Sequence, residues 1–286
     1  AVFNFLDYLT GFMETWPAVF TRTGFVPALT RFELGLPRRY AAEGILTVSQ
    51  PLAEYFAATG YPADRILPLQ YGYDATRFQP PAEAVEAGPP VVVMHGSFDR
   101  HHLGRIAAAA LAGVHLVRPE VVFRFVGRET PGLLAFVEEV RRRQPGIQVQ
   151  LTGFIPYPEV GAQLRNATLG IVPYEESRGT HCAFVAKAVE YLGCGLPVAS
   201  TPLENLRGYF GDEPAIRFSS FTGAGLARVI LDWLEMPAAR RRELGRRAAA
   251  RVARDLDWPV IAGRAVDFVE RIAAAAGPVP GRKGRS

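Results

Sequence analysis

Cysteine is nearly missing: the 286 residues hold two, Cys182 and Cys194. Two thiols cannot build a disulfide framework, so a reducing compartment, the cytoplasm, is the simpler expectation. No apolar run approaches the ~18 to 20 residues that a membrane span needs, and no signal peptide is visible. Neither sign of charge dominates. The formal net charge is +4, although the pI of 9.2 is basic. Nucleic acid is therefore not demanded, and an anionic substrate or an acidic membrane surface fits equally well. No metal-ligand spacing stands out, since His101 and His102 are adjacent without a third partner. No internal repeat is evident. What remains is an ordinary globular composition, 49% hydrophobic and 21% charged, long enough for two domains.

One stretch organises what is present. Residues 179–201 read as a loop, a helix and a buried strand. Gly179 and Thr180 give a flexible polar turn. From about 183 to 194 the pattern is helical: Val185, Ala188, Val189 and Leu192 share one arc, with Lys187, Glu190 and Tyr191 opposite. Gly193 and Gly195 stop the helix, and Pro197 forbids its continuation. Residues 196–199 suit a parallel strand buried on both faces. A helix N-terminus offers free N–H groups to a phosphate. Lys187, one turn in, can reach the same anion. Glu190 is acceptor-only when ionised, which suits sugar hydroxyls. A nucleoside diphosphate carries those two parts at that separation. The alternative is an exposed i,i+3 ion pair between Lys187 and Glu190, worth roughly a few tenths of a kcal/mol.

Earlier in the chain, 2–6 is a strand with Asp7 at its C-terminal end, where α/β sheets place ligands. Asp7 is a candidate general base, or a turn-capping Asp. Phe12, Met13, Trp16 and Phe20 form an apolar set around Pro17. Residues 31–43 read as a helix broken at Gly35-Leu36-Pro37. A strand at 45–48 is followed by Ser49, which caps a helix opening with Gln50-Pro51 and ending near Thr59-Gly60. A strand at 66–69 and a turn at 71–74 follow. Residues 79–90 are rich in Pro, Ala and Glu without periodicity and read as a linker. Beyond it, strands at 91–94, 121–126, 147–151 and 169–172 alternate with helices at 101–117, 133–143 and 158–165. A segment at 203–210, a strand near 215–218 and three C-terminal helices complete the chain. This alternation predicts an α/β fold with a parallel, doubly wound sheet. The turns at Gly96, Gly127, Gly153 and Tyr174 would open on a cleft between two such halves.

Several weaker signals border that cleft. Gly96, before Ser97, lets a phosphate approach the backbone. Arg100, His101 and His102 beside it read as exposed helix-start residues. Arg128 suits bidentate phosphate contact, or a surface salt bridge. Phe154 is a cleft wall or a core ring. Glu175 and Glu176 are side by side and point apart, so they are no paired acid and base. They read as solvated loop charges, in a loop able to close over a ligand at 177–180. Arg240, Arg247, Arg251 and Arg254 share a helix face opposite Leu244, Ala248 and Val252. That face is solvated, or touches anionic lipid. Trp258-Pro259 opens a last helix with an apolar stripe at Ile261, Ala265, Phe268, Val269 and Ile272.

The run from Lys187 to Thr201, K-x-x-E-Y-L-x-x-G-x-P-V-x-x-T, resembles the donor-binding segment of GT-B glycosyltransferases, especially the group-4-like enzymes (glycosyl transferases group 1). The likeness extends over about 45–270. It implies two Rossmann-like domains facing across a cleft, and a hexosyltransferase-like enzyme. Such an enzyme moves a sugar from a nucleoside-diphosphate sugar to a glycan or lipid-linked acceptor, as in polysaccharide biosynthesis, with no metal or other cofactor. Glu190 would hold the ribose and Lys187 the diphosphate; Lys187, together with Asp7 as read from its strand-end position, makes up the catalytic candidates. Gly96, Ser97, Arg128, Phe154, Tyr174, Gly179, Thr180, Cys182 and Tyr191 would complete the donor site. Cys182 stands where the commoner pattern has a second glutamate. The chain opens at Ala1, without Met, directly in a strand-like run. The resemblance therefore implies a truncated first domain at 1–80 on the acceptor side and a linker at 81–90. A nucleotide-sugar domain at 91–256, a helix at 257–276 crossing back to the first domain and a basic tail at 277–286 follow. The implied location is cytoplasmic and peripheral to the inner face of the membrane. Two other readings fit the same segment: a GT-B nucleotide-sugar epimerase, and a non-catalytic nucleotide-sugar-binding protein.

Overall fold

The computed structural model describes residues 1–16, 21, 23–82 and 88–276. Pro17, Phe20, the middle of the expected linker and the whole 277–286 tail lie outside the described residues. Short apolar runs between turn residues fold into two parallel sheets. In the first, β1 (Val2–Phe5), β2 (Gly44–Thr47) and β3 (Ile66–Pro68) lie in the order β1-β2-β3. The helices α1 (Leu9–Phe12) and α2 (Phe25–Arg39) lie between β1 and β2 in the chain, and α3 (Gln50–Ala58) follows β2. Ser49 caps α3 as its sequence predicts, accepting a hydrogen bond from the Leu52 N–H at 3.2 Å.

The second sheet contains β4 (Val91–His95), β5 (Val122–Val126), β6 (Gln148–Leu151), β7 (Leu169–Val172), β8 (Val198–Ser200) and β9 (Ile216–Phe218). Its helices are α4 (Arg105–Val117), α5 (Pro131–Arg143), α6 (Tyr157–Arg165), α7 (Arg178–Cys182), α8 (Ala186–Gly193), α9 (Glu204–Phe210) and α10 (Gly223–Glu235). Two long helices, α11 (Ala238–Leu256) and α12 (Trp258–Ala276), close the described chain. The strand order is β6-β5-β4-β7-β8-β9, all parallel. β4 and β7 are buried at every residue, as parallel strands covered on both faces must be. Connections leave β4 toward β5 and β6, then return to β7 and run the other way. A crevice opens where that direction reverses, beyond the C-terminal ends of β4 and β7.

The lobes are joined at several points. Tyr73, expected in a plain turn, bridges to the α11–α12 junction. Its N–H donates to the Leu256 carbonyl at 3.0 Å, and its own carbonyl accepts from Trp258 at 3.1 Å. α12 then lies against β2, because a Cβ on Gly44 would come within 3.0 Å of Ile272 and 3.1 Å of the Phe268 ring.

Some local expectations give way to tertiary context. The helix expected to break at Gly35-Leu36-Pro37 runs unbroken over Phe25–Arg39. Pro37 sits in its last turn, where it forfeits one bond, to the Glu33 carbonyl. The polar turn at Gly179-Thr180 is instead the short helix α7. Ser177 and Thr180 cap it reciprocally, each hydroxyl accepting from the other's N–H at 3.1 and 3.0 Å. The following helix starts at Ala186 rather than 183, because Ala183 is extended and buried Phe184 packs between Tyr71 and Tyr209. Similarly, α4 starts at Arg105 rather than His101. Glu175 accepts the Ile106 N–H at 2.8 Å and fixes that start, so it is not a solvated loop charge. The arginine face of α11 is solvated as expected at Arg240 and Arg254, which make surface pairs with Glu243 and Asp255, whereas Arg251 is more covered and reaches Asp212 and Glu213. Among the described residues no helix is long and apolar enough to cross a membrane.

Candidate functional site

The switch-point crevice collects side chains from four segments. β4 ends at His95, and the chain turns sharply at Gly96 with φ +96°. Only a glycine is comfortable there. The turn after β5 contributes Gly127, whose missing Cβ lets it approach the Gly96 carbonyl. β7 leads into Tyr174, and α8 supplies Lys187 and Glu190.

Lys187 is the second residue of α8 and is half-buried. Its ammonium donates to the Tyr174 hydroxyl at 2.9 Å and lies 5.4 Å over that ring. A Cβ on Gly96 would be 3.4 Å from it, so Lys187 rests against the β4 turn. Among the described residues no carboxylate pairs with it. The i,i+3 ion pair with Glu190 does not form. Glu190 instead points to the sheet, with Oε2 at 2.5 Å from His95 Nε2 and Oε1 accepting from the Tyr157 hydroxyl at 2.9 Å. The carboxylate is buried, at 7% exposure. A buried carboxylate needs such donors, since leaving it unpaired would cost several kcal/mol. Burial, reinforced by Glu190, pushes the Tyr157 phenol well above its ordinary range, which keeps it a neutral donor.

His101 and His102 are not exposed helix-start residues. Their rings pack at a tilt with centroids 4.1 Å apart; His102 also packs on Tyr174 at 4.4 Å, and His101 on Phe12 of the first lobe at 4.9 Å. Burial, then the Lys187 charge, pushes His102 down to about 2, and His101 is lowered by burial together with Lys187. The result is one ammonium beside two neutral imidazoles. Asp99, His101 and His102 bring three possible ligand atoms within 4.8 Å of one another. Lys187 bears electrostatically on both imidazoles, which favours an anion there over a cation. Asp255 and Asp257 form an Asp-x-Asp spacing. Both carboxylates are committed, Asp255 to Arg254 and Asp257 to the N–H groups of Ala75 and Trp258.

The other expected site residues divide. Gly96 and Ser97 are exposed beside Lys187. Arg128 is exposed after β5, its guanidinium 6.0 Å over the Phe154 ring, and Phe154 is 70% exposed rather than a core ring. Tyr174 is buried but holds Lys187. Tyr191, Cys182 and Thr180 have no accessible surface in this structure, and Gly179 is buried. Tyr191 packs its ring on Gly170, whose missing side chain makes the room, and its hydroxyl accepts the His95 N–H at 3.1 Å. Burial raises the Cys182 thiol to about 12. Gly179 meets Gly11 and Phe12 across the lobes, where Arg178 also pairs with Glu14. Asp7 stands exposed at the end of β1. Surrounding protein and the Glu33 carboxylate raise its pKa, and it makes no hydrogen bond or ion pair with the Lys187 group among the described residues. A separate cavity of about 450 Å³ lies at the N-terminal ends of β4, β7 and β8, against Pro90, Thr168 and Pro197, and contains none of these groups.

His95 and Tyr157, the two partners of Glu190, were missed by sequence reasoning. Each had one positional signal: His95 ends an apolar strand, and Tyr157 opens a helix just past a glycine turn.

No individual curated protein matches the sequence. Solved structures do. Sucrose-phosphate synthase from Thermosynechococcus elongatus superposes with a TM-score of 0.77 at 19% identity, over 96% of this chain and 68% of that one. HepE from Anabaena, in complex with UDP and glucose, gives 0.68 at 17% identity, over 97% and 71%. TarM from S. aureus gives 0.64 at 11% identity, over 80% and 44%. These likenesses establish the GT-B architecture of two parallel-sheet lobes. The family described as Glycosyl transferases group 1 matches residues 84–235, more than half of the 286. The chain therefore belongs to the Glycosyl transferases group 1 family and has its GT-B fold.

Proposed function

We propose that this glycosyltransferase takes a hexosyl group from a nucleoside-diphosphate sugar and passes it to a glycan or lipid-linked acceptor. One observation carries the reading. A buried carboxylate, Glu190, sits one helical turn below an ammonium that has no carboxylate partner among the described residues. That pair matches a ribose and a diphosphate at the spacing of one nucleotide. HepE has been solved with UDP-glucose, which supports a UDP-sugar as the first donor to try. As the glycosidic bond breaks, negative charge grows on the departing diphosphate. Lys187 and the N–H groups at the start of α8 would stabilise it in place, which is electrostatic catalysis by preorganised groups. This chemistry uses no metal. The exposed ring of Phe154 with Arg128 beside it would face the base, and Asp7, across the crevice, would face the acceptor. Two rivals share the donor site and differ in product. Incubation with donor alone separates them: an epimerase converts it, a non-catalytic binder leaves it intact, and a transferase at most hydrolyses it slowly. A thermal-shift panel of UDP, GDP, ADP and dTDP sugars picks the donor, since binding raises the melting temperature. If none of these sugars shifts it, the proposal fails.

A further inference from the structure

Glu190 has two partners of opposite character. His95 is 6% exposed and fixed at the end of β4, between its own N–H bond to Tyr191 and that residue's ring at 5.0 Å. Tyr157 is 49% exposed and stands on the first residue of α6, with its ring edge against Phe78. Two side-chain torsions swing its hydroxyl toward solvent without moving any strand. His95 has no such freedom. The approach to Glu190 therefore lies on the Tyr157 side, and the hydroxyl there already donates to the oxygen that a ligand would seek.

We propose that the Tyr157 hydroxyl is a stand-in for a ribose hydroxyl: it satisfies Glu190 in the empty protein and must leave when a nucleotide binds. His95 keeps its bond and holds the carboxylate in position throughout. The inference rests on the reading of Glu190 as the ribose ligand, and it adds that nucleotide affinity is set by competition with the protein's own phenol. A carboxylate accepts from either hydroxyl with similar strength, so the exchange is near balance and the competitor lowers apparent affinity. Tyr157→Phe removes the competitor and keeps the ring against Phe78.

The test is calorimetric titration of UDP, GDP and ADP, and of their 2′,3′-dideoxy forms, into the wild type, Tyr157→Phe, Glu190→Gln and the double variant. Tyr157→Phe should tighten the ribonucleotide that binds by about tenfold, the size of one such hydrogen bond. It should leave the dideoxy form unchanged and have a smaller effect in the Glu190→Gln background, whose neutral amide oxygen accepts more weakly from either hydroxyl. Weaker ribonucleotide binding in Tyr157→Phe would overturn the proposal, making the phenol a ligand contact rather than a competitor. Equal affinity would overturn it as well. Failure of the underlying reading looks different: Glu190→Gln itself would then bind like the wild type.

Discussion

Tyr191 separates two roles that one residue could have. Its place in the K-x-x-E-Y-L run suggests a donor contact, but its zero accessibility and its bond to the His95 N–H make it a strut. Tyr191→Phe removes one oxygen and keeps the ring that fills the space over Gly170. The His95 N–H is then buried without an acceptor, which costs about 1–3 kcal/mol. For a chain of this size each kcal/mol moves the melting temperature by about 2–4 °C, so the variant should melt roughly 2–12 °C lower. Differential scanning calorimetry measures that, and titration calorimetry on the same sample measures nucleotide affinity. Affinity should hold, because no part of Tyr191 reaches the surface. An unchanged melting temperature with weakened nucleotide binding would refute the reasoning, since it would place the phenol on the ligand.

Lys187→Ala should lower the single-turnover rate about a hundredfold, the usual effect of removing one group that stabilises transition-state charge; an unaltered rate would remove Lys187 from the mechanism. His102 gives a pH dependence of definite sign. Its folded pKa of about 2 lies below the ordinary 6.5, so as pH falls below about 6.5 the unfolded chain takes up a proton that the folded chain does not. Stability should fall on acidification by up to about 1.4 kcal/mol per pH unit from this group. Urea midpoints between pH 7 and 5 should decline less steeply in His102→Gln, and parallel slopes would show that His102 titrates normally.

Much of the fold was legible because its signals are local. Residues 169–172 read as a strand from four apolar residues between turns, and Ser49 read as a cap because cap chemistry involves neighbours three apart. Gly96, Gly127 and Gly153 read as turns at strand ends, and each has positive φ. What escaped was set by partners distant in sequence. Glu190 looked like half of a helical ion pair, yet its partners come from 95 and 33 residues away. Glu175 looked solvated because nothing nearby in sequence needs it, while the start of α4 does. His101 and His102 looked exposed because the rings that cover them are distant in sequence, Phe12 of the first lobe over His101 and Tyr174 over His102. Tyr191 sits on the polar arc of its helix, but a glycine on β7 turns that arc into core. In each case a partner distant in sequence decided the burial, and no local pattern carries that information.

The central claim is that Glu190 receives a ribose beside the Lys187 ammonium. Titration of the nucleoside diphosphate selected by the thermal-shift panel into wild type and Glu190→Ala tests it most directly. The account predicts clear binding to the wild type and an affinity roughly ten- to a hundredfold weaker in the variant, the loss of a charge-assisted hydrogen bond from the ribose. Equal affinity in the two proteins would contradict it.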